Sequence, residues 1–166
     1  MVIVITGIMA AGKSTVAQII AERLPRSVHV RGDVFRRMII SGRAEPTLAG
    51  SAEEEAQLTL RYRLSAQAAD SYAEAGFTPV VQDVILGDHL TAYVRMIRTR
   101  PCHVVVLAPR MEVVEAREAG RLKTGYGAWS VASLYAALEA TPRIGLWLDN
   151  SDQSPAATAE AVLAGI

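Results

Sequence analysis

Apolar and polar positions along the chain follow two alternating periods. Short runs rich in β-branched residues, bounded by glycine, proline or charged residues, predict strands. We place five strands, at residues 2–5, 27–30, 78–83, 103–108 and 144–149. After each strand, apolar residues recur every three to four positions. This period predicts helices at residues 16–24, 34–40, 51–75, 88–97, 112–120, 131–138 and 156–163.

The longest predicted helix begins with a capping box, in which Ser51 is the N-cap and Glu54 follows three residues later. An apolar stripe with a spacing of four predicts its buried face, which comprises Ala56, Leu60, Leu64, Ala68 and Tyr72. Arg61 and Arg63 lie off that stripe, so we expect both to be solvated. Gly76 ends the helix.

Strands that alternate with helices predict an α/β fold, with a parallel sheet of five strands and helices on both faces. A chain of 166 residues has the length of one domain with one core. We therefore expect residues 1–166 to form a single domain.

Residues 7–15 read Gly-Ile-Met-Ala-Ala-Gly-Lys-Ser-Thr and fit the pattern G-x-x-x-x-G-K-[ST] between a strand and a helix. The glycines let main-chain N–H groups face an anion, and the helix N-terminus adds partial positive charge. Lys13 is placed to reach the β- and γ-phosphates of ATP, and the Ser14 hydroxyl to ligate Mg²⁺. We predict ATP and Mg²⁺ as cofactors of a P-loop domain, with nucleotide contacts from Gly7, Ala10, Ala11, Gly12, Lys13, Ser14 and Thr15.

Charge and cysteine content narrow the function classes. The chain has 17 basic and 17 acidic residues, so it lacks the net positive charge typical of proteins that bind nucleic acid or anionic membranes. It has one cysteine, Cys102, which suits a reducing compartment. No apolar run approaches the roughly 20 residues that a membrane span needs. We expect a cytoplasmic protein without a nucleic-acid or membrane partner; the oligomeric state stays open.

Two predicted strands end on an aspartate, where ligands of an open parallel sheet bind. Asp33, after the second strand, is the candidate to accept the proton of a substrate hydroxyl or to orient it. The compatible alternative is an N-cap for the following helix. Asp83, after the third strand, is a candidate to act on Mg²⁺ or its water shell, or to hydrogen-bond the acceptor. Of Arg36 and Arg37, one pairs with Asp33 or reaches the acceptor, and we assign Arg36 to the substrate-binding set.

The predicted helix 112–120 carries Arg117, and residues 121–127 after it form a basic segment edged by glycines. Such a segment predicts a short lid that brings a guanidinium group over the transferring phosphate when it closes. Arg117 and Arg121 are the candidate catalytic arginines, and Arg117 is also a candidate nucleotide contact. The alternative is a charged helix end that complements the helix dipole.

The phosphate loop, Asp33, the run from Asp83 to Gly87 and the segment from Arg117 to Arg121 together resemble the chloramphenicol phosphotransferase-like kinases. These belong to a wider group that includes shikimate and gluconate kinases. The resemblance implies the strand order 2-3-1-4-5 and ATP-dependent phosphorylation of a hydroxyl group on a small molecule, an antibiotic being one candidate. It also implies that Asp33 matches the proposed base and that Arg117 or Arg121 matches the lid arginine. Gln82-Asp83 stands where the chloramphenicol enzyme has paired aspartates.

Two other functions fit the same loop. One is a kinase of a nucleotide-type substrate, such as a nucleotide sugar or a nucleic acid end; the balanced charge disfavours the nucleic acid. The other is a regulatory module that senses ATP without phosphorylating anything, which two strand-end carboxylates disfavour.

Overall fold

The computed structural model describes residues 1–45, 47, 49–120 and 129–166. Its sheet has five parallel strands in the order β2-β3-β1-β4-β5, so the predicted fold class and strand order are confirmed. The strands are β1 Val2–Thr6, β2 Ser27–Arg31, β3 Thr78–Gln82, β4 Cys102–Leu107 and β5 Leu146–Leu148. The helices are α1 Lys13–Arg23, α2 Gly32–Arg37, α3 Ala52–Glu74, α4 Asp88–Met96, α5 Met111–Ala119, α6 Val131–Glu139 and α7 Pro155–Ala164.

The core is centred on β1, whose five residues are all buried. Ile3 pairs with Val80 of β3 on one side and with His103 of β4 on the other. Because all the strands are parallel, their carboxyl ends meet at one edge of the sheet, and the loops that follow β1, β2 and β3 converge there. None of the described helices has the length and apolar character that crossing a membrane requires.

Most element boundaries differ from the prediction by one to three residues, and two elements show a physical reason. The second helix covers Gly32–Arg37 instead of residues 34–40, so it begins directly after β2 and ends earlier. Met38 and Ile40 are 64% and 93% exposed, so burial does not stabilise a further turn at that end. The fifth strand is limited to Leu146–Leu148, since Gly145 has a positive φ of 74°.

The predicted buried face of α3 is wrong at both ends of the helix, and its middle positions Leu60, Leu64 and Ala68 are only half-buried. Ala56 and Tyr72 are exposed, whereas Tyr62, Ala66 and Ala69 are buried. A helix turns about 100° per residue, so a strict spacing of four drifts about 40° at each step and leaves the buried face after a few turns. The observed face alternates steps of three and four residues. The N-cap is confirmed, because Ser51 Oγ accepts a hydrogen bond from the Glu54 main-chain N–H at 3.1 Å.

Asp70 fixes α3 to the segment that leads into β4. Its carboxylate is 2% exposed and accepts hydrogen bonds from the main-chain N–H groups of Arg98 and Thr99 and from the Thr99 hydroxyl, the last at 2.7 Å. Burial alone would raise the pKa of Asp70, but these hydrogen bonds outweigh it and the pKa lies below its usual value.

We expect Asp70→Asn to lower the free energy of unfolding at neutral pH by about 2 kcal/mol, because buried donors lose their acceptor. The lowered pKa means that the carboxylate stabilises the fold above the unfolded-state pKa of about 3.9. The difference between Asp70→Asn and the wild type should therefore shrink as pH falls below about 4. Urea unfolding at several pH values measures it. Glu74→Gln is the control, because Glu74 also contacts Arg98 but is exposed; equal losses in both variants would contradict the prediction.

Candidate active site

A cleft of about 1260 Å³ opens where the carboxyl ends of β1, β2 and β3 meet. It brings together predicted site residues from the phosphate loop, α2, the end of β3 and α5. They are Ala10, Gly12, Lys13, Ser14, Thr15, Asp33, Arg36, Asp83 and Arg117. Gly7 and Ala11 are buried within the loop and do not line the cleft. Arg121 lies outside the described residues, and so does most of the predicted lid.

The phosphate loop has the backbone that its sequence predicts. Gly7 has a φ of 140°, and a Cβ there would lie 2.4 Å from the Leu107 carbonyl oxygen, so no larger residue fits against β4. Gly12 is the N-cap of α1 in the left-handed region, and the first turn of α1 carries no acidic residue. The partial positive charge at this helix end is therefore unopposed within the turn, as phosphate binding requires. Lys13 is 8% exposed, and its Nζ donates to the Ile8 carbonyl at 2.7 Å.

Asn150, which follows β5, connects the phosphate loop with α5. Its Nδ2 donates to the Ala11 carbonyl at 3.0 Å, while its own main-chain carbonyl accepts a hydrogen bond from Arg117 Nη2 at 3.0 Å. Arg117, the predicted lid arginine, thus lines the cleft and is connected to the phosphate loop through Asn150. Its role in catalysis stays a prediction.

Asp33 lies in the first turn of α2 and does not cap it. The N-cap of α2 is Arg31, and no side chain caps this helix, so the N-cap alternative for Asp33 is wrong. Arg37 Nη2 contacts Asp33 Oδ2 at 2.9 Å. The other carboxylate oxygen, Oδ1, is buried and has no hydrogen-bond partner among the described residues. Arg31 Nε lies 3.9 Å from it.

Arg36 points away from Asp33 and toward the loop that follows α2. Its Nη2 donates to the Ala44 carbonyl at 2.7 Å and contacts Glu45 Oε2 at 2.8 Å. Of the two arginines, Arg37 therefore pairs with Asp33, while Arg36 lines the cleft and fixes residues 44–45 beside it.

Asp83 forms a buried ion pair with Arg61 of α3. Arg61 Nε donates to Asp83 Oδ2 at 2.8 Å, and Arg61 Nη2 donates to Oδ1. The Val84 main-chain N–H also donates to Oδ1, at 2.7 Å. The side chains of Arg61 and Asp83 are 15% and 1% exposed, so the prediction of a solvated Arg61 is wrong. Any contact of Asp83 with Mg²⁺ or an acceptor would share a carboxylate that already binds Arg61, and both roles stay predictions.

The start of α2 packs directly on this ion pair. A Cβ at Gly32 would lie 2.0 Å from Asp83 Oδ2, so only glycine lets the carboxylate lie against the main chain that precedes Asp33. Beside the ion pair, Tyr62 donates to the Val84 carbonyl at 2.8 Å, and burial raises the pKa of Tyr62 to about 12. The position of Asp33 thus depends on the packing of α3 against the end of β3.

Gln82 contacts the residue that was predicted to bind the metal. Ser14 Oγ donates to Gln82 Oε1 at 2.8 Å, and Gln82 is 4% exposed and lines the cleft. A hydroxyl and an amide carbonyl are hard oxygen groups of the kind that suits Mg²⁺, which in nucleotide sites takes few protein ligands together with phosphate oxygens and water. The pair therefore fits the predicted metal.

Sequence reasoning missed three residues of this site: Gly32, Arg61 and Gln82. Gln82 had a local signal, since it immediately precedes the strand-end Asp83. Arg61 had none, because its partner lies 22 positions away.

Comparison with protein families identifies the chain. A family model named AAA_33 and described as an AAA domain matches residues 2–134. The chain belongs to the AAA_33 family. No curated protein sequence matches it at a significant level.

Solved structures share the fold of this AAA_33 chain. An unliganded sugar kinase from Janibacter sp. HTCC2649 is 21% identical with a TM-score of 0.74, over 99% of this chain and 92% of that one. The APS kinase of Mycobacterium tuberculosis, in complex with AMPPNP and APS, is 19% identical with a TM-score of 0.72, over 98% and 95%. A tunicamycin resistance protein of Deinococcus radiodurans is 19% identical with a TM-score of 0.70, over 98% and 93%. At these identities the similarity establishes a P-loop kinase fold.

We expect Arg61→Leu to lower the free energy of unfolding by about 3–5 kcal/mol, because Asp83 would stay buried without a counter-charge. Replacing both partners by Leu should cost less than the sum of the two single replacements. Urea unfolding measures all three variants. Arg63→Leu is the matched control, since Arg63 is an exposed arginine of the same helix. If Arg61→Leu is no more destabilising than Arg63→Leu, the ion pair does not support this part of the fold.

Proposed function

We propose that this chain is a kinase that transfers the γ-phosphate of ATP to a hydroxyl group of a small molecule. The observation that carries the proposal is the position of Asp33, whose side chain is 38% exposed and lines the same cleft as the phosphate loop. A carboxylate at this place is within the cleft where a substrate hydroxyl would approach the γ-phosphate.

The residues of the cleft divide into two groups. The main-chain N–H groups of the loop and Lys13 hold the phosphates of ATP. Mg²⁺, when bound, would neutralise charge on the phosphates of ATP, and Ser14, whose hydroxyl donates to Gln82, is the residue that would hold it. Arg117, with Arg121 as the second candidate, stabilises charge on the transferring group when the lid closes.

Asp33 acts on the acceptor. As the acceptor oxygen bonds to the γ-phosphorus, the Asp33 carboxylate takes the hydroxyl proton, and the bond from the γ-phosphorus to the β–γ bridging oxygen breaks. ADP leaves with that bonding pair. The products are a phosphorylated acceptor, ADP and a proton, which Asp33 releases to water.

The charges beside Asp33 favour an uncharged acceptor. Three arginines line this part of the cleft, and each faces a carboxylate: Arg31 faces Asp33, Arg36 faces Glu45 and Arg61 faces Asp83. A carboxylate or phosphate on the acceptor would have to displace one of these partners. We therefore propose a neutral polyhydroxy compound or a neutral antibiotic as the acceptor class, with no nucleic acid or membrane partner and a cytoplasmic location.

The comparisons support phosphotransfer in general terms. The proteins of similar fold include a sugar kinase and an APS kinase with AMPPNP, and both suit a nucleotide-dependent transfer to a small molecule. The tunicamycin resistance protein suits an antibiotic as acceptor.

We expect Asp33→Asn to reduce phosphate transfer at least about 100-fold, because the base is lost, while ATP affinity changes little. Transfer of labelled γ-phosphate and isothermal titration with AMPPNP measure the two quantities. Asp88→Asn is the matched control, since Asp88 also lies in the first turn of a helix but is outside the cleft. Full activity of Asp33→Asn would exclude Asp33 as the base.

The first experiment offers labelled Mg·ATP and a panel of hydroxyl compounds in charge-matched pairs, such as glucose with gluconate, together with hydroxyl-bearing antibiotics. We expect a labelled product from neutral members, absent in Lys13→Ala. Preferential labelling of the anionic members would contradict the neutral acceptor class. Tight ATP binding without transfer to any compound would favour an ATP-sensing module instead.

A further inference from the structure

The hydrogen bond between Ser14 and Gln82 lies at the junction of the phosphate loop and β3. Ser14 Oγ donates its proton to Gln82 Oε1 at 2.8 Å. The lone pairs of Oγ are then the groups left for a ligand in the cleft, which Ser14 and Gln82 both line. A metal-bound hydroxyl needs this arrangement, because its oxygen coordinates the ion while its proton requires an acceptor.

We propose that Gln82 is the positioning residue of the magnesium site: its amide oxygen orients the Ser14 hydroxyl so that the lone pairs of Oγ face the nucleotide-bound Mg²⁺. This inference rests on the proposed nucleotide-binding function of the cleft. It assigns to Gln82 the place beside the metal that sequence reasoning assigned to Asp83.

Gln82 and Asp83 are adjacent in sequence but contact different helices. Successive residues of a strand point to opposite faces of the sheet, and Asp83 continues the ladder, since its N–H donates to the Ile5 carbonyl at 3.2 Å. Gln82 contacts Ser14 of α1, whereas Asp83 contacts Arg61 of α3. The end of β3 therefore provides the Gln82 amide oxygen to Ser14 and the Asp83 carboxylate to the ion pair with Arg61.

The neutral amide of Gln82 affects Mg²⁺ affinity differently from a carboxylate at the same position. Gln82 orients Ser14 without adding negative charge, so the protein attracts Mg²⁺ less strongly than it would with an anion at this position. Mg²⁺ affinity should therefore increase when Gln82 is replaced by Glu, which keeps the acceptor oxygen and adds a charge.

The test measures AMPPNP affinity by isothermal titration in saturating Mg²⁺ and again in EDTA. We expect Gln82→Met, which keeps the side-chain volume without the acceptor, to weaken Mg²⁺-dependent binding roughly tenfold and to leave binding in EDTA nearly unchanged. Gln82→Glu should restore or exceed the wild-type preference for Mg²⁺. Gln57→Met is the matched control, because Gln57 is a similarly buried glutamine outside the cleft.

A double-mutant cycle tests whether Gln82 acts through Ser14. Ser14→Ala should lose the Mg²⁺ preference, and adding Gln82→Met should cause little further loss. The proposal is overturned if Gln82→Met binds Mg·AMPPNP like the wild type, if it loses affinity equally in Mg²⁺ and EDTA, or if the wild type shows no Mg²⁺ preference. None of these measurements uses an acceptor, so a failure of phosphate transfer leaves this result standing, and the converse also holds.

Discussion

The ion pair between Arg61 and Asp83 is the interaction on which the part of the cleft around Asp33 depends. It joins the middle of α3 to the end of β3, and the absence of a side chain at Gly32 brings the start of α2 against the same carboxylate. Two buried charges stabilise a fold only when their geometry is good. Here both guanidinium donors and one main-chain N–H meet the carboxylate. Asp33, the next residue after Gly32, takes its position from this arrangement.

The nucleotide side depends on a different constraint, the close approach of the phosphate loop to the strands beside it. Gly7 touches the end of β4, and Asn150 after β5 holds the Ala11 carbonyl. Strands that are distant in sequence therefore shape a loop of nine residues. Because Asn150 also accepts from Arg117, the base of the predicted lid is connected to the loop through one residue.

The sequence predicted what depends on local pattern. The phosphate loop and the five strands follow from spacing, and the strand order followed from family resemblance. It could not predict contacts between distant positions, such as Arg61 with Asp83 or Asn150 with Ala11, because no local pattern encodes which long side chain turns inward. The prediction of the buried face of α3 was wrong for a simpler reason, because a spacing of four residues does not match the helical period of 3.6 residues.

The two roles predicted for Asp83, on Mg²⁺ or on the acceptor, show where pattern reasoning meets its limit. The chemistry of a strand end depends on which face the last side chain points to, and a shift of one residue exchanges the faces. Gln82 and Asp83 are adjacent buried polar residues at the end of β3, so composition favours the carboxylate as the group for a cation. The structure instead commits that carboxylate to Arg61, and the neutral amide contacts Ser14. The charge of this strand end is thus paired with Arg61, while the side of the strand end that contacts Ser14 is uncharged. A phosphate-loop site with this distribution must draw most of its attraction for Mg²⁺ from the phosphates of the nucleotide itself, so metal and nucleotide should bind together.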